Sequence, residues 1–318
     1  MAYLKKFLPH LLVLVIFVIV SLIYFSPVLE GKKIFQSDIV HYIGMAKEQN
    51  DFRDQTGEEP YWTDSAFGGM PTFQLGAYYP HNYVKKLDSL LRFLPRPADY
   101  LFLYFIGFYI LMLCIKLDFR LAFLGALAFG FSTYLIIILG VGHNAKAHAI
   151  AYMPMVLGGI ILTFRQKYLW GFLLLSLAMA LQIGANHFQM TYYLLLLVIV
   201  LGIAYLVDAY LKNILPKFFK ALGVMAGAVF LAVGANATNL LATQEYTSHS
   251  TRGDTGLTIL PDGSSTPSTG LTFDYITAYS YEKLETFGLF IPRFMGGGSS
   301  ENLGEDSHVY DALIKLGA

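Results

Sequence analysis

The sequence predicts an all-α polytopic membrane protein of about seven transmembrane helices with a long first extracytoplasmic loop. Three observations carry that reading. Of the 318 residues, 55% are hydrophobic and only 14% charged, with mean hydropathy +0.52, whereas about a quarter of a soluble domain is charged. Seven apolar segments, roughly 10–28, 100–116, 120–139, 147–164, 168–184, 188–208 and 219–240, come near the ~20 residues that a helix needs to cross the hydrocarbon core. The short turns between them collect basic residues on alternate sides.

The first segment, LLVLVIFVIVSLIYFSPVL, follows Lys5 and Lys6. It is longer than the apolar core of a cleaved leader, and no small-residue cleavage site follows it. It reads as a retained span. The ends on its side carry Lys5, Lys6, Lys116, Arg120, Arg165, Lys167, Lys212, Lys217 and Lys220, nine bases against the two acids Asp118 and Asp208. Such an excess in short loops marks the cytoplasmic face. The N-terminus is therefore expected in the cytoplasm, and the polar stretches 29–99 and 241–318 outside. Seven of the eight histidines then fall on the outer side. A net charge of zero identifies no partner, and the single Cys114 excludes an intramolecular disulfide.

The outer loop opens with FQSDIVHYIGMAKEQND, residues 35–51, which reads as a short helix with Ile39, Ile43 and Ala46 on one side. Ser37 or Asp38 suits its N-cap. Asp38 also suits a general base, because a carboxylate against lipid and aromatic surface is desolvated and titrates closer to neutrality. The stretch YWTDSAFGGMPTFQLGAYYP, residues 61–80, surrounds Asp64 with aromatics, glycines and prolines. It either lies at headgroup level or lines a sugar or lipid site with Trp62 and Asp64.

The next outer turn, GVGHNAKAHA at 140–149, pairs His143 with Lys146 and Asn144 with His148 at helical spacing. These are either caps and a snorkelling lysine, or a phosphate site at headgroup depth built from Lys146, the histidines and helix N-terminal N–H groups. A divalent metal held by His143, His148, His187 and Asp38 is a further option that no spacing demands. GANHFQMTYY, residues 184–193, puts Asn186, His187 and Gln189 at the following outer turn, as caps or as added ligands. Beyond the last apolar segment come Glu245, Arg252 and Glu285, the apolar FGLFIPRFM and a GGGSS run of flexible composition.

Taken in order, FQSDIVHY, the Trp62–Gly69 loop, GHNAKAHA, NHFQMTYY, EYTSHSTRG and YSYEKLETFGLFIPRFMGGGSS resemble the N-terminal part of the YfhO-like bacterial membrane proteins, over nearly the whole chain. That family is placed with the GT-C glycosyltransferases. The resemblance implies a GT-C-like transmembrane domain over 1–240. An extracytoplasmic segment at 241–318 would follow, with the chain continuing into further spans. It implies sugar transfer from a polyprenyl-phosphate donor to an envelope glycan or glycopolymer acceptor, on the outer face of the cytoplasmic membrane. The partners are membrane lipid, donor and acceptor, with no nucleic acid. Asp38 matches the position of the family's base. His143, Asn144, Lys146, His148, Asn186 and His187 are expected near the donor phosphate. Asp38 stands in neither an Asp-x-Asp nor a Glu-Asp pattern, so the resemblance fixes no metal requirement. Two rival readings remain. A lipid or glycan flippase needs ionisable groups at the bilayer midplane, where these segments have almost none. A non-catalytic scaffold of an envelope complex needs no polar cluster.

The expected topology is tested with single cysteines and a membrane-impermeant thiol reagent. Gln49→Cys should label in intact cells and Lys167→Cys should not; the reverse pattern would invert the orientation.

Overall fold

Each of the seven apolar segments forms helix in the computed structural model, which describes residues 2–250, 273–278, 280–291, 294, 304 and 306–316. The chain divides into two units, Met1–Leu271 and Thr272–Ala318. In the first, α1 (Ala2–Tyr24) runs into a 3₁₀ turn, Ser26–Glu30, that carries Pro27 in second place and closes on Gly31 in the left-handed region. The polar segment follows, with α2 (Ser37–Met45), α3 (Lys47–Thr56), a hairpin of β1 (Trp62–Thr63) and β2 (Met70–Pro71), and α4 (Tyr83–Leu91). The helical bundle comprises α5 (Ala98–Cys114), α6 (Phe119–Gly130), α7 (Thr133–Val141), α8 (Asn144–Phe164), α9 (Tyr168–Gly184), α10 (Phe188–Leu211), α11 (Leu215–Ala235) and α12 (Ala237–Thr247), together with α1.

Four helices, α1, α8, α10 and α11, are long and apolar enough to cross a membrane, and α6 with α7 makes a fifth candidate bent by 47°. The apolar helices α5 and α9 have 17 residues each; at 1.5 Å per residue they reach ~26 Å, short of the ~30 Å hydrocarbon core. By length and composition the described residues thus present four or five helices able to span, with α5 and α9 as shorter apolar helices beside them.

Two apolar segments also break where a continuous helix was expected. Over 120–139 the ladder stops at Gly130, which lies so close to α5 that a Cβ would meet the Phe105 ring at 2.5 Å. Ser132 is extended (φ −61°, ψ 141°) and restarts the helix as α7. Over 219–240, α11 ends at Asn236, whose buried amide donates to the carbonyls of Ala180 (3.0 Å) and Ala232 (2.9 Å).

Helix α8 is the centre of the bundle and packs against α5 and α9, while α11 packs on α9. Glycine permits the closest of these contacts. A Cβ on Gly159 would lie 2.7 Å from the backbone nitrogen of Leu175, and one on Gly107 would collide with the Ala151 carbonyl. Small residues at such crossings let helices approach closely where lipid supplies no hydrophobic drive. By contrast, α10 buries only Met190, Leu194 and Ala209, and most of its other leucine, isoleucine and valine side chains face outward. So large an apolar surface is stable only against another apolar phase. The protein is a membrane-embedded helical protein.

The polar segment is tied together by its own charges. Glu48 accepts from the Thr63 hydroxyl and from the backbone N–H groups of Asp64 and Ser65 (3.1 Å each). Glu59 accepts from Arg53 (2.5 and 2.9 Å) and Gln49 (2.8 Å). The segment docks on the end of the bundle where the α7–α8 and α9–α10 turns lie. Gln74 donates to Thr243 on α12 (2.9 Å), and Phe73 meets Tyr246 edge-on.

Three expectations change here. The N-cap of α2 is Gln36, with neither Ser37 nor Asp38 capping, because the helix starts one residue earlier than a Ser or Asp cap requires. The apolar side of α2 is split: Ala46 is buried and Ile43 is exposed. Gln49 is buried under its bond to Glu59, so the exposed Lys47 is the better labelling position. The second unit, described by itself, holds α13 (Phe273–Thr277), a 3₁₀ turn at Glu285–Leu289 and α14 (His308–Lys315), which Ser307 caps by accepting from the Tyr310 N–H (3.1 Å). Arg252 and the GGGSS run lie outside the described residues.

Candidate functional site

Four of the expected residues converge from three distant segments. Asp38 lies in the first turn of α2, where its Oδ2 is 3.5 Å from Nε2 of His143, the N-cap residue of α8. That is an ion-pair distance rather than a hydrogen bond. Lys146 follows His143 by three residues on α8, and His187 is the N-cap residue of α10. Burial lowers the pKa of the His187 imidazole, and the charges of Lys146 and His143 lower it further, which sets all three in one electrostatic neighbourhood. Nδ1 of His187 is buried without a hydrogen-bond partner among the described residues. The desolvation expected for Asp38 is not supplied by the protein, since 55% of its side chain is exposed.

Asn144 and His148 turn inward instead. Asn144 is buried, and its amide donates to Gln36 Oε1 at 3.3 Å. His148 points at Asp88 on α4, a residue that sequence reasoning passed over. Asp88 is buried and accepts four bonds. Oδ1 takes the imidazole of His148 and the hydroxyl of Tyr152 (2.7 Å), and Oδ2 takes Nε and Nη2 of Arg92 (2.9 and 2.7 Å). Arg92 reaches on to Asp99 at the start of α5 (3.4 Å), and its guanidinium lies over the Tyr100 ring. Burial pushes the Asp88 carboxyl up, but the His148 and Arg92 bonds outweigh it and hold the group at about 2.

This network floors a pocket of about 300 Å³ lined by Lys85, Asp88, Arg92, His148 and Asn186, with Tyr42 and Tyr79 among its aromatic walls. Asn186 enters it from the α9–α10 turn, where it adopts a left-handed conformation (φ 56°). Arg92 also lines a second pocket of about 610 Å³, beside Lys33, Gln36, Ile39 and Arg96. Amides, cations and aromatic faces around one volume suit a polyhydroxylated or anionic ligand.

Trp62 and Asp64 line neither pocket. They bond to each other (Nε1 to Oδ1, 2.9 Å), and the Trp62 ring covers Gly69 across the hairpin. The metal option, with His143, His148, His187 and Asp38 as ligands, is not assembled, because His148 is engaged by Asp88. Among the described residues no three His, Cys, Asp or Glu side chains are grouped to hold a metal ion. The missed residues had left a signal in LDSLLRFLPRPAD, where Asp88 and Arg92 stand at i,i+4 just before an apolar helix that begins with Asp99. No family model, curated protein or solved structure matches the chain.

Replacing Asp88 with Asn should destabilise the protein by ~3–5 kcal/mol, because Arg92 loses its buried carboxylate; the thermal midpoint in detergent reads this directly. Asp88 sits at about 2 in the folded chain against an ordinary 3.8. A lowered folded pKa contributes stability that is complete above 3.8 and is lost as pH falls toward 2. The gap between wild type and Asp88→Asn should therefore narrow across that window.

Proposed function

We propose that the protein is a GT-C-like glycosyltransferase that takes a sugar from a polyprenyl-phosphate donor on the outer face of the bacterial cytoplasmic membrane. The observation that carries the reading is the meeting of Asp38 with His143, beside Lys146 and His187, at the same end of the bundle as the α9–α10 turn. In this reading the N-terminus is cytoplasmic and the polar segment is extracytoplasmic. The short helices α5 and α9 cross the bilayer with the others, to make seven spans. A membrane-bound leaving group explains why the polar residues gather at a helix-bundle end rather than on a remote loop.

Asp38 acts as general base on an acceptor hydroxyl of an envelope glycan. The hydroxyl oxygen attacks the anomeric carbon of the donor as the bond to the lipid phosphate breaks. The proton goes to Asp38 and the negative charge to the phosphate. Single displacement inverts the anomeric centre. His143 stands between the two functions, touching Asp38 on one side and sharing its surroundings with Lys146 on the other. Lys146 and the helix α8 N-terminus then stabilise the departing phosphate. The flippase alternative draws no support from the charge distribution, because the buried Asp88, Asp99 and His148 cluster with the half-buried Arg92 toward one end.

Two measurements test this. Asp38→Asn keeps size and polarity but takes up no proton, so transfer with native lipid donor should fall by ~100- to 10,000-fold while thermal stability stays near wild type. Near-normal turnover would remove the base assignment. Lys146→Ala loses a charge-assisted bond of ~1.5–3 kcal/mol, so donor affinity should fall ~10- to 150-fold. Unchanged binding of polyprenyl-phosphate sugar by the purified variant would remove the phosphate assignment.

A further inference from the structure

We infer that Gln36 is a positioning residue, whose buried side chain clamps the start of α2 to the α7–α8 turn and so holds Asp38 against His143. Gln36 is 7% exposed. Its Nε2 donates to the Leu139 carbonyl at 2.6 Å, and its Oε1 accepts from Asn144 Nδ2 at 3.3 Å. Leu139 O is among the last four carbonyls of α7, which no intrahelical N–H satisfies. The side chain thus completes one helix end and grips the first residue of the next helix. Its backbone meanwhile begins α2, accepting from the N–H groups of Ile39 and Val40 (3.1 Å each). Asp38 is two residues along this same chain, and His143 adjoins Asn144.

The turn is shaped for this clamp. Gly142 is left-handed (φ 92°) and buried, and a Cβ there would lie 2.8 Å from Cβ of Gln36. Glycine therefore serves two needs at one point, the sign of φ and room for the glutamine. Asp38 and His143 are about half exposed and face each other at 3.5 Å with no other bond between their side chains among the described residues. Their separation is set by what lies beneath them, and Gln36 is the side chain that joins the two backbones there. The positional statement stands on this geometry; its consequence for turnover rests on the proposed role of Asp38.

The two are tested separately. In a Cys114→Ala background, Asp38→Cys with His143→Cys is joined by a short bifunctional thiol reagent in native membranes. Lys47→Cys with Asp51→Cys, one turn apart on α3, serves as control. Gln36→Met keeps the volume without hydrogen bonds, and Gln36→Glu cannot donate to Leu139. Each should slow the 38–143 crosslink by about tenfold, the weight of a lost buried hydrogen bond or two, and leave the control rate unchanged. A wild-type crosslinking rate in both variants overturns the clamp. In the chain with natural Asp38 and His143, the same variants should lower kcat for transfer by ~100-fold, the cost of a misplacement near 1 Å, with KM for the donor unchanged. Slowed crosslinking with undiminished transfer would uphold the clamp and overturn the base assignment of Asp38. Diminished transfer with unchanged crosslinking would overturn the clamp.

Discussion

The buried carboxylate of Asp88 is the tie on which the arrangement depends. A charge removed from water needs a full set of partners, and Asp88 draws them from the end of its own helix and from α8. Arg92 caps the C-terminus of the same helix, and His148 and Tyr152 come from α8. Arg92 extends the tie to Asp99 and Tyr100 on α5. A polar segment that otherwise touches the bundle through isolated contacts is thereby fixed at two of its central helices. The position of both pockets follows, since Arg92 lines each of them. The charge set is also self-limiting: with the carboxylate fully ionised and fully bonded, Asp88 has no capacity left to take a proton near neutrality. Asp88 thus holds the fold together, and the base of the proposed reaction is the more open Asp38.

The helical architecture was legible in the sequence because apolar runs near 20 residues admit few other structures in a membrane. What composition does not encode is where a run breaks. Gly130 and Asn236 look unremarkable in an apolar window, and they interrupt their helices through contacts with Phe105 and Ala180, far away in the chain. The convergence of Asp38, His143, Lys146 and His187 was legible through the alternation of loop sides, which puts residues some 100 positions apart on one face. The inward turn of Asn144 and His148 was not. Their spacing marks one helical face, and nothing local says whether that face meets ligand or protein. Asp88 was passed over for the same reason. In a loop of eight bases and ten acids, its i,i+4 spacing to Arg92 marks an ion pair, but that Asp88 and Asp99 are the acids taken out of water is a property of the fold.

Gln36 and Asp88 divide the labour of docking between uncharged and charged chemistry. The amide of Gln36 fixes a short distance with direction, as a neutral donor and acceptor does. The Asp88 set supplies strength over a wider region, as charge-assisted bonds do. Asp38 and His143, proposed for chemistry, stay about half exposed, which leaves their polar atoms open to a ligand.

The partners of Asp88 are also ordered in time. Tyr152 and His148 lie 64 and 60 residues further along the chain, so a ribosome makes the carboxylate well before either exists. Arg92, four residues away at the C-cap of the same helix, is made with it. The early chain therefore carries a compact, charge-balanced turn while α5, α6 and α7 are still being made. The long-range bonds are added when α8 arrives, and with it the Asn144 half of the Gln36 clamp. The full set of bonds that holds the polar segment to the bundle therefore requires α8, whereas the contacts of Arg92 with Asp99 and of Gln36 with Leu139 do not.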